Sequence, residues 1–496
     1  MVIMVAFALK VLCFAVAVSA AAVGNISKDL KPKLAQAAAI YTSGTQAFND
    51  AKTRWAANIN PTFDAIVKVT SEQDVQATVA YANARNVPFL VFNGGHGFSK
   101  TLNNFKGGIG INMRGMKNVT ISNTYTTKGP IAHVQGGAKS GEVIGTAWAA
   151  GKTLVAGGCD CTGFTGVTLG GGHGWLQGQY GLAIDNVISY RLVLGNGTAI
   201  TVSDDEHADL FWAMRGAGHN FGVVTQVDYQ VYDRKTAADE GFSTKVYIFK
   251  EDKLEAVFSI LNTWIRAKKR PVELTHFGVI LNNPAVDSKP IIQLLVFWQG
   301  PSFPRKYSDP LDALAPFSVT SAYTDLAGAS KLSGSDLSGI NCAKGYGRQT
   351  FPVDLLEWSP ANLRAVLNLF AELPGTGLEL SGMLLEGYAQ NGVKLVSPSS
   401  TAFPLREGNI LAAPTFTYEA GNATLDTLAT RYGEKVRAAM LEGTGLRLGA
   451  YVNYAIGDES NEAVYGYEAW RLQRLRGLKR KYDAQGRFRF FEGIKV

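Results

Sequence analysis

The feature that most constrains this chain is a glycine turn, Asn93-Gly94-Gly95-His96-Gly97, delivered by a strand–helix–strand unit. Residues 64–69 (DAIVKV) have strand composition. Ser71 stands where a helix cap is needed, with Asp74 three residues on, and Val75, Val79 and Ala82 then share one helical face. Pro88 opens a second strand, FLVF, which stops at the turn. Such a turn presents backbone N–H groups to a phosphate, and its glycines let a ligand approach the backbone closely. His96 sits inside it, with its ring exposed to whatever the turn holds. A second glycine-rich stretch runs from Gly158-Cys159-Asp160-Cys161-Thr162-Gly163 through Gly166 to Gly170-Gly171-Gly172-His173-Gly174.

Further short strands are expected at 109–113, 119–122, 131–135 and 153–156, and residues 187–202 (VISYRLVLGNGTAITV) read as a hairpin turning at Asn196-Gly197. Residues 236–450 change character, with helical patterns at Leu254–Ala267 and Pro360–Leu373 and sheet-like runs at Thr275–Leu281 and Ile291–Phe297. A chain of 496 residues exceeds one core. The expected division is a first domain at 22–235 (core about 57–233), a second at 236–450, and a segment 451–496 that returns to the first.

Apolar residues from Val5 to Val18, interrupted by Lys10 and followed by Ser19 and three alanines, predict a signal peptide over 1–21 and a secreted protein. That run is too short to span a bilayer, so no membrane association is expected. Glycosylation sequons at Asn25, Asn118, Asn196 and Asn422 fit export. Cys13 would leave with the signal, and an odd set remains: Cys159, Cys161 and Cys342. At least one thiol then lacks an intrachain partner and is free, bridged to another molecule or bonded to something else. The rival reading pairs Cys159 with Cys161, a strained Cys-x-Cys bridge.

Several familiar sites are absent. Basic residues exceed acidic ones by 48 − 41 = 7, scattered along the chain. The densest basic run, Arg471 to Lys481, carries Trp470, Leu475, Leu478 and Tyr482 at helical spacing and reads as a solvated helix face, so no nucleic-acid partner is expected. Six histidines, none at ligand spacing, give no metal site. There is no Gly-x-Gly-x-x-Gly run, and Gly151-Lys152-Thr153 imitates a P-loop end but has Thr146 where its first glycine belongs. Neither a Gly-x-Ser-x-Gly elbow nor a His-Glu-x-x-His pair occurs.

The segments DAIVKVTSEQDV, NGGHGFS, GGCDCTGFTGVTLGGGHGWLQGQYGLAIDN, DLFWAMRGAGHNFGVVT, FPLREGN, YVNY and LKRKYDAQGRFRF, in that order, resemble the berberine bridge enzyme-like FAD-linked oxidases. The resemblance implies an α+β, two-domain vanillyl-alcohol-oxidase/PCMH-like FAD-binding fold with an antiparallel-sheet substrate domain backed by helices. It implies FAD bonded covalently to His96 at its 8α-methyl, and to Cys159 at C6. Cys159, not Cys161, matches the family cysteine by its spacing to Gly163, Gly166 and Gly170; Thr162 replaces the usual valine, a small residue that favours access of O2. The FAD pyrophosphate is expected in the amides of Asn93–Ser99, with Phe98 among them, and of Gly170–Gly174. Asn220, Phe221, Gly222 and Val223 are expected against the cofactor, braced by Asp185 and Asn186.

For catalysis the resemblance points to a Tyr-x-Asn-Tyr strand: Tyr451 as proton acceptor, with Asn453 and Tyr454 beside it. The family's carboxylate base would fall at Pro414, so either a tyrosinate-like Tyr451 acts or the proton leaves to water. The expected activity is hydride removal from a small organic substrate, with O2 reduced to H2O2 by a monomer. The small, apolar stretch Ile410–Phe416 favours an aromatic, polyketide or alkaloid-like metabolite over the alternative, an oligosaccharide. A glycosylated binding protein without redox activity is the remote alternative.

Overall fold

The computed structural model describes residues 25–126, 129–234, 241–408 and 410–496; the expected signal peptide and both sides of the boundary at 235/236 lie outside them. The first domain has two sheets. The smaller has four strands in the order Ala39–Thr42, Ala65–Lys68, Ile109–Asn112, Phe89–Phe92; the first pair is antiparallel and the others parallel. The helix joining its parallel strands, Glu72–Ala84, starts at Ser71 with a full capping box to Asp74, which ties down two otherwise orphaned N–H groups. The larger sheet is antiparallel, in the order Val119–Thr126, Gly129–Gln135, Val223–Gln230, Val187–Val193, Ala199–Ser203.

The second domain is an eight-stranded antiparallel sheet. Ile291–Gln299 and Leu274–Leu281 lie at its middle, then Gly382–Gly387 and Ile410–Glu419. Helices Leu254–Ile265, Pro360–Ala371 and Ala423–Leu441 back it, burying Val257, Leu261, Val366, Phe370 and Val436 against the sheet's Leu294, Val296 and Leu385. The C-terminal helix Ala469–Tyr482 returns to the first domain. Its Leu472, Leu475 and Leu478 join the core of Leu210, Trp212 and Phe221, and the buried Lys479 ammonium bridges the Asn220 and Phe488 carbonyls at 2.7 Å each.

Two local expectations change. Of residues 153–156, only Thr153 is in a strand, the short Lys152–Thr153, which pairs with Tyr232–Asp233 while Leu154 to Ala156 enter the core as coil. Tyr451–Tyr454 is a turn, not a strand: Tyr454 N–H bonds the Tyr451 carbonyl at 2.8 Å. The apolar, aromatic composition that suggests a strand instead lets this turn plug between the domains.

Candidate active site

The two glycine stretches meet. A Cβ on Gly94 would lie 2.6 Å from the Cys161 carbonyl oxygen, and one on Gly163 would lie 2.9 Å from the Asn93 side chain. Only glycine permits that approach. Behind the contact lies a cavity of about 820 Å³ between the domains. Asn93, Gly94, Gly95, His96, Gly97, Phe98, Cys159, Thr162, Gly163, Gly166, Gly222 and Val223 line it, together with Tyr451, Asn453 and Tyr454. Trp55 stacks on the His96 ring, with centroids 5.3 Å apart and planes at 20°.

Other expected cofactor residues sit elsewhere. Ser99 donates to Glu492 Oε1 at 2.5 Å. Asn220 is held by the C-terminal tail, accepting from Ile494 N–H at 2.9 Å and donating to Tyr465 Oη at 2.9 Å. Gly170, Gly171, Gly172 and Gly174 form the wall behind the cavity, where added Cβ atoms would strike Asn453, Phe403, Ala183 and the Ala156 carbonyl at 2.2–2.6 Å. Their smallness serves packing, and only His173 of that turn faces the cavity. Asp185 pairs with Arg406 at 2.7 and 3.1 Å, both nearly fully buried. It also accepts the Leu182 N–H at 2.8 Å. It therefore fixes the Gly170–Gly174 wall across the domain boundary.

The cysteines resolve differently from the Cys-x-Cys alternative. Cys161 is bonded to Cys342, 181 residues on, and Cys159 is free. The disulfide straps segment 332–344 of the second domain over the cavity mouth, where Leu332, Ile340 and Asn341 join the lining. Asp160 N–H to the Ser335 carbonyl (2.9 Å) and Trp55 Nε1–H to the Asn341 carbonyl (2.7 Å) reinforce it.

The residue that sequence reasoning missed is Glu386. It is the last residue but one of the strand Gly382–Gly387 and lines the cavity while buried, accepting from Tyr454 Oη at 2.9 Å and from Tyr388 Oη at 2.6 Å. Burial raises its carboxyl to about 7, against the pull of those two O–H donors. Its partner across the sheet is Leu411, so the strand beside the Pro414 strand supplies a carboxylate. The available signal was a lone glutamate in an apolar strand.

Burial pushes Tyr451 up to about 12, although Gly172 N–H (3.0 Å) and Asn453 Nδ2–H (2.7 Å) both donate to its oxygen. A tyrosinate at position 451 is therefore disfavoured at neutral pH. Burial, helped by Lys344, Lys139, Arg348 and Arg54, lowers His96 to about 3, and burial raises Cys159 to about 11. His96 is thus a neutral imidazole and Cys159 a protonated thiol.

The wall fits a polar cofactor. Arg54 Nε, Asn93 Oδ1, Thr165 Oγ1 and His219 Nδ1 all belong to lining residues and are buried without a hydrogen-bond partner. Each such orphan costs about 1–3 kcal/mol, and four among the residues of one lining fit a ligand rich in donors and acceptors. A cavity of this size between two domains suits a small molecule or a cofactor.

Comparison with known proteins names the class. Residues 63–203 match the family described as FAD binding domain, and residues 450–495 the one described as Berberine and berberine like. The FAD-linked oxidoreductase chyH of Penicillium rubens is 36% identical, over 94% of this chain and 93% of its own. FAD-linked oxidoreductase chry5 of Gibberella zeae is 37% identical over 94% of each. Among solved structures, a chitooligosaccharide oxidase superposes with a TM-score of 0.79 at 21% identity, covering 96% of this chain and 99% of that one. A glucooligosaccharide oxidase from Acremonium strictum, described with 6-S-cysteinyl, 8α-N1-histidyl FAD, gives 0.76 at 20%, covering 92% and 97%. The fold and site are those of an FAD-linked oxidoreductase. The chain belongs to the berberine bridge enzyme-like family, with the two-domain α+β fold that the sequence implies.

Proposed function

We propose that this enzyme is a secreted oxidase that holds FAD covalently through His96 and Cys159, and oxidises a small aromatic, polyketide or alkaloid-like metabolite. The observation that carries the reading is that His96 and Cys159 line the same cavity as Glu386 and Tyr454. When bound, FAD supplies a two-electron acceptor that O2 reoxidises with release of H2O2. The chain's own residues do the rest. His96, a neutral imidazole, offers a nitrogen lone pair for attachment, and the free thiol of Cys159 offers the second. Thr162, small and held by its 2.7 Å bond to the Cys159 carbonyl, keeps the approach to that edge open to O2.

Glu386 takes the proton from the substrate O–H or N–H at Oε1. Burial brings the group's affinity for protons close to neutral pH, where a base works best. Tyr454 and Tyr388 hold the carboxylate in place. Trp175, Phe277, Leu295 and Leu384 give the lining an apolar, partly aromatic character that suits a flat hydrophobic substrate and excludes water. Export is supported by the exposure of Asn25, Asn118, Asn196 and Asn422, each open to glycosylation. No helix among the described residues is long and apolar enough to cross a membrane.

The test is acid precipitation of the purified protein followed by an H2O2-release screen over phenolics, alkaloids and cello- or chito-oligosaccharides. Yellow colour should stay with the precipitate and peroxide should appear with an aromatic metabolite. Colourless protein would refute the tethers, and peroxide only with oligosaccharides would replace the substrate class.

A further inference from the structure

His173 is a half-buried imidazole on the cavity wall that the chemistry above does not use. Its Nδ1 lies 3.0 Å from Gln177 Oε1, and the same oxygen accepts the Gly174 N–H at 3.2 Å. A backbone amide can only donate, so that side-chain atom is the oxygen. A flipped amide would set two donors against each other. Nδ1 must therefore carry the proton, and in the neutral ring Nε2 is a bare lone pair. Burial lowers this histidine to about 4, which keeps the ring neutral at physiological pH. The ring is also fixed in direction. Tyr388 stacks on it (5.9 Å, 13°), and Tyr451 (4.9 Å, 79°) and Phe403 (6.1 Å, 69°) meet it edge-on.

The neighbouring polar groups make this lone pair selective. Tyr388 and Tyr454 commit their O–H groups to Glu386. The Tyr451 oxygen already accepts two N–H groups. The acceptors at this end of the cavity are Glu386 and His173 Nε2, and the hydroxyls of Tyr388 and Tyr454 are already spent on Glu386. A ligand that brings its own donor satisfies them; one that brings only ether or carbonyl oxygens leaves a buried acceptor unpaired.

We propose that His173 is a specificity-determining residue whose Nε2 accepts a hydrogen bond from a substrate O–H or N–H, so that the enzyme selects phenol-, alcohol- or amine-bearing substrates over their methylated counterparts. This rests on the oxidase reading and narrows its substrate class. Gln177 is a positioning residue, acting through the tautomer it imposes.

The experiment compares β-naphthol with its methyl ether on the intact protein, by isothermal titration calorimetry and, separately, by change in visible flavin absorbance. The wild type should bind the naphthol about tenfold more tightly, the usual effect of one buried hydrogen bond. His173→Phe should lower that ratio severalfold, leaving only the share that the Glu386 acceptor contributes, without changing the spectrum of the ligand-free protein. His173→Gln, which keeps an acceptor, should restore part of the preference. Gln177→Met frees Nδ1–H from its acceptor, lets the proton move to Nε2, and should lower the preference as His173→Phe does. Equal binding of both ligands by the wild type overturns the proposal. So does a preference undiminished in His173→Phe, and if flavin colour or retention changes at the same time the imidazole serves the cofactor instead. Calorimetry reads the preference whether or not the protein is yellow, so a colourless or peroxide-silent protein counts against the oxidase reading alone.

Discussion

Replacing Glu386 with glutamine keeps the side chain's size and its contact with Tyr388 and Tyr454 but removes the base. With the carboxyl held at about 7, its ionised fraction rises from about one in eleven at pH 6 to about ten in eleven at pH 8, since each pH unit is a factor of ten. The rate of flavin reduction by substrate, followed anaerobically by stopped flow, should therefore climb about tenfold over that interval in the wild type. In Glu386→Gln the rate should fall about 10²–10⁴-fold, the range for a positioned general base, and the limb near pH 7 should vanish. Tyr454→Phe gives a graded version. It removes one O–H donor that favours the ionised form. A hydrogen bond to a charged group contributes about 1.5–3 kcal/mol, and 1.36 kcal/mol is one pH unit, so the limb should move up by about one to two units. A glutamine variant that reduces flavin within about threefold of wild type, with the limb intact, would remove Glu386 from the chemistry.

Other outcomes follow from different parts of the structure. His96→Ala alone should leave flavin attached through Cys159, whereas His96→Ala with Cys159→Ala should release it on denaturation, read by the colour of the supernatant after acid treatment. Arg406→Met strands Asp185 in a buried site, and breaking such a pair costs about 3–5 kcal/mol; a lower Tm by scanning calorimetry checks it. Changing Cys161 and Cys342 together to alanine should lower stability by about 2–5 kcal/mol and speed proteolysis within 332–344.

How much of this was legible depends on distance along the chain. The capping box at Ser71, the strand Phe89–Phe92 and the turn that ends it are local. Hydrophobic period, cap chemistry and glycine placement specify them within a few residues. The second glycine stretch was legible as a turn but not as to what its glycines face. Gly172 is small because Ala183 presses on it, a contact that spacing does not reveal. Glu386 was hidden for a related reason. The base was sought on the strand carrying Pro414, and only the register of Gly382–Gly387 against Ile410–Glu419 shows that the neighbouring strand aims a carboxylate at the same space. Cys342 lies 181 residues from its partner, and no spacing rule spans that interval. The Tyr451–Tyr454 turn misled because aromatic alternation suits a strand as well as a plug between domains.

The strap over the cavity mouth has a practical consequence for anyone making this enzyme. The three cysteines among the described residues can form one bridge in three ways, and two of the three enlist the sulfur at 159. Those sulfurs all lie within 4.8 Å of one another, so geometry alone does not prevent the mistake. A host compartment rich in glutathione would deliver all three reduced and leave the choice to chance oxidation on the bench. Expression through an oxidising secretory route would settle the pairing during folding and keep position 159 unpaired.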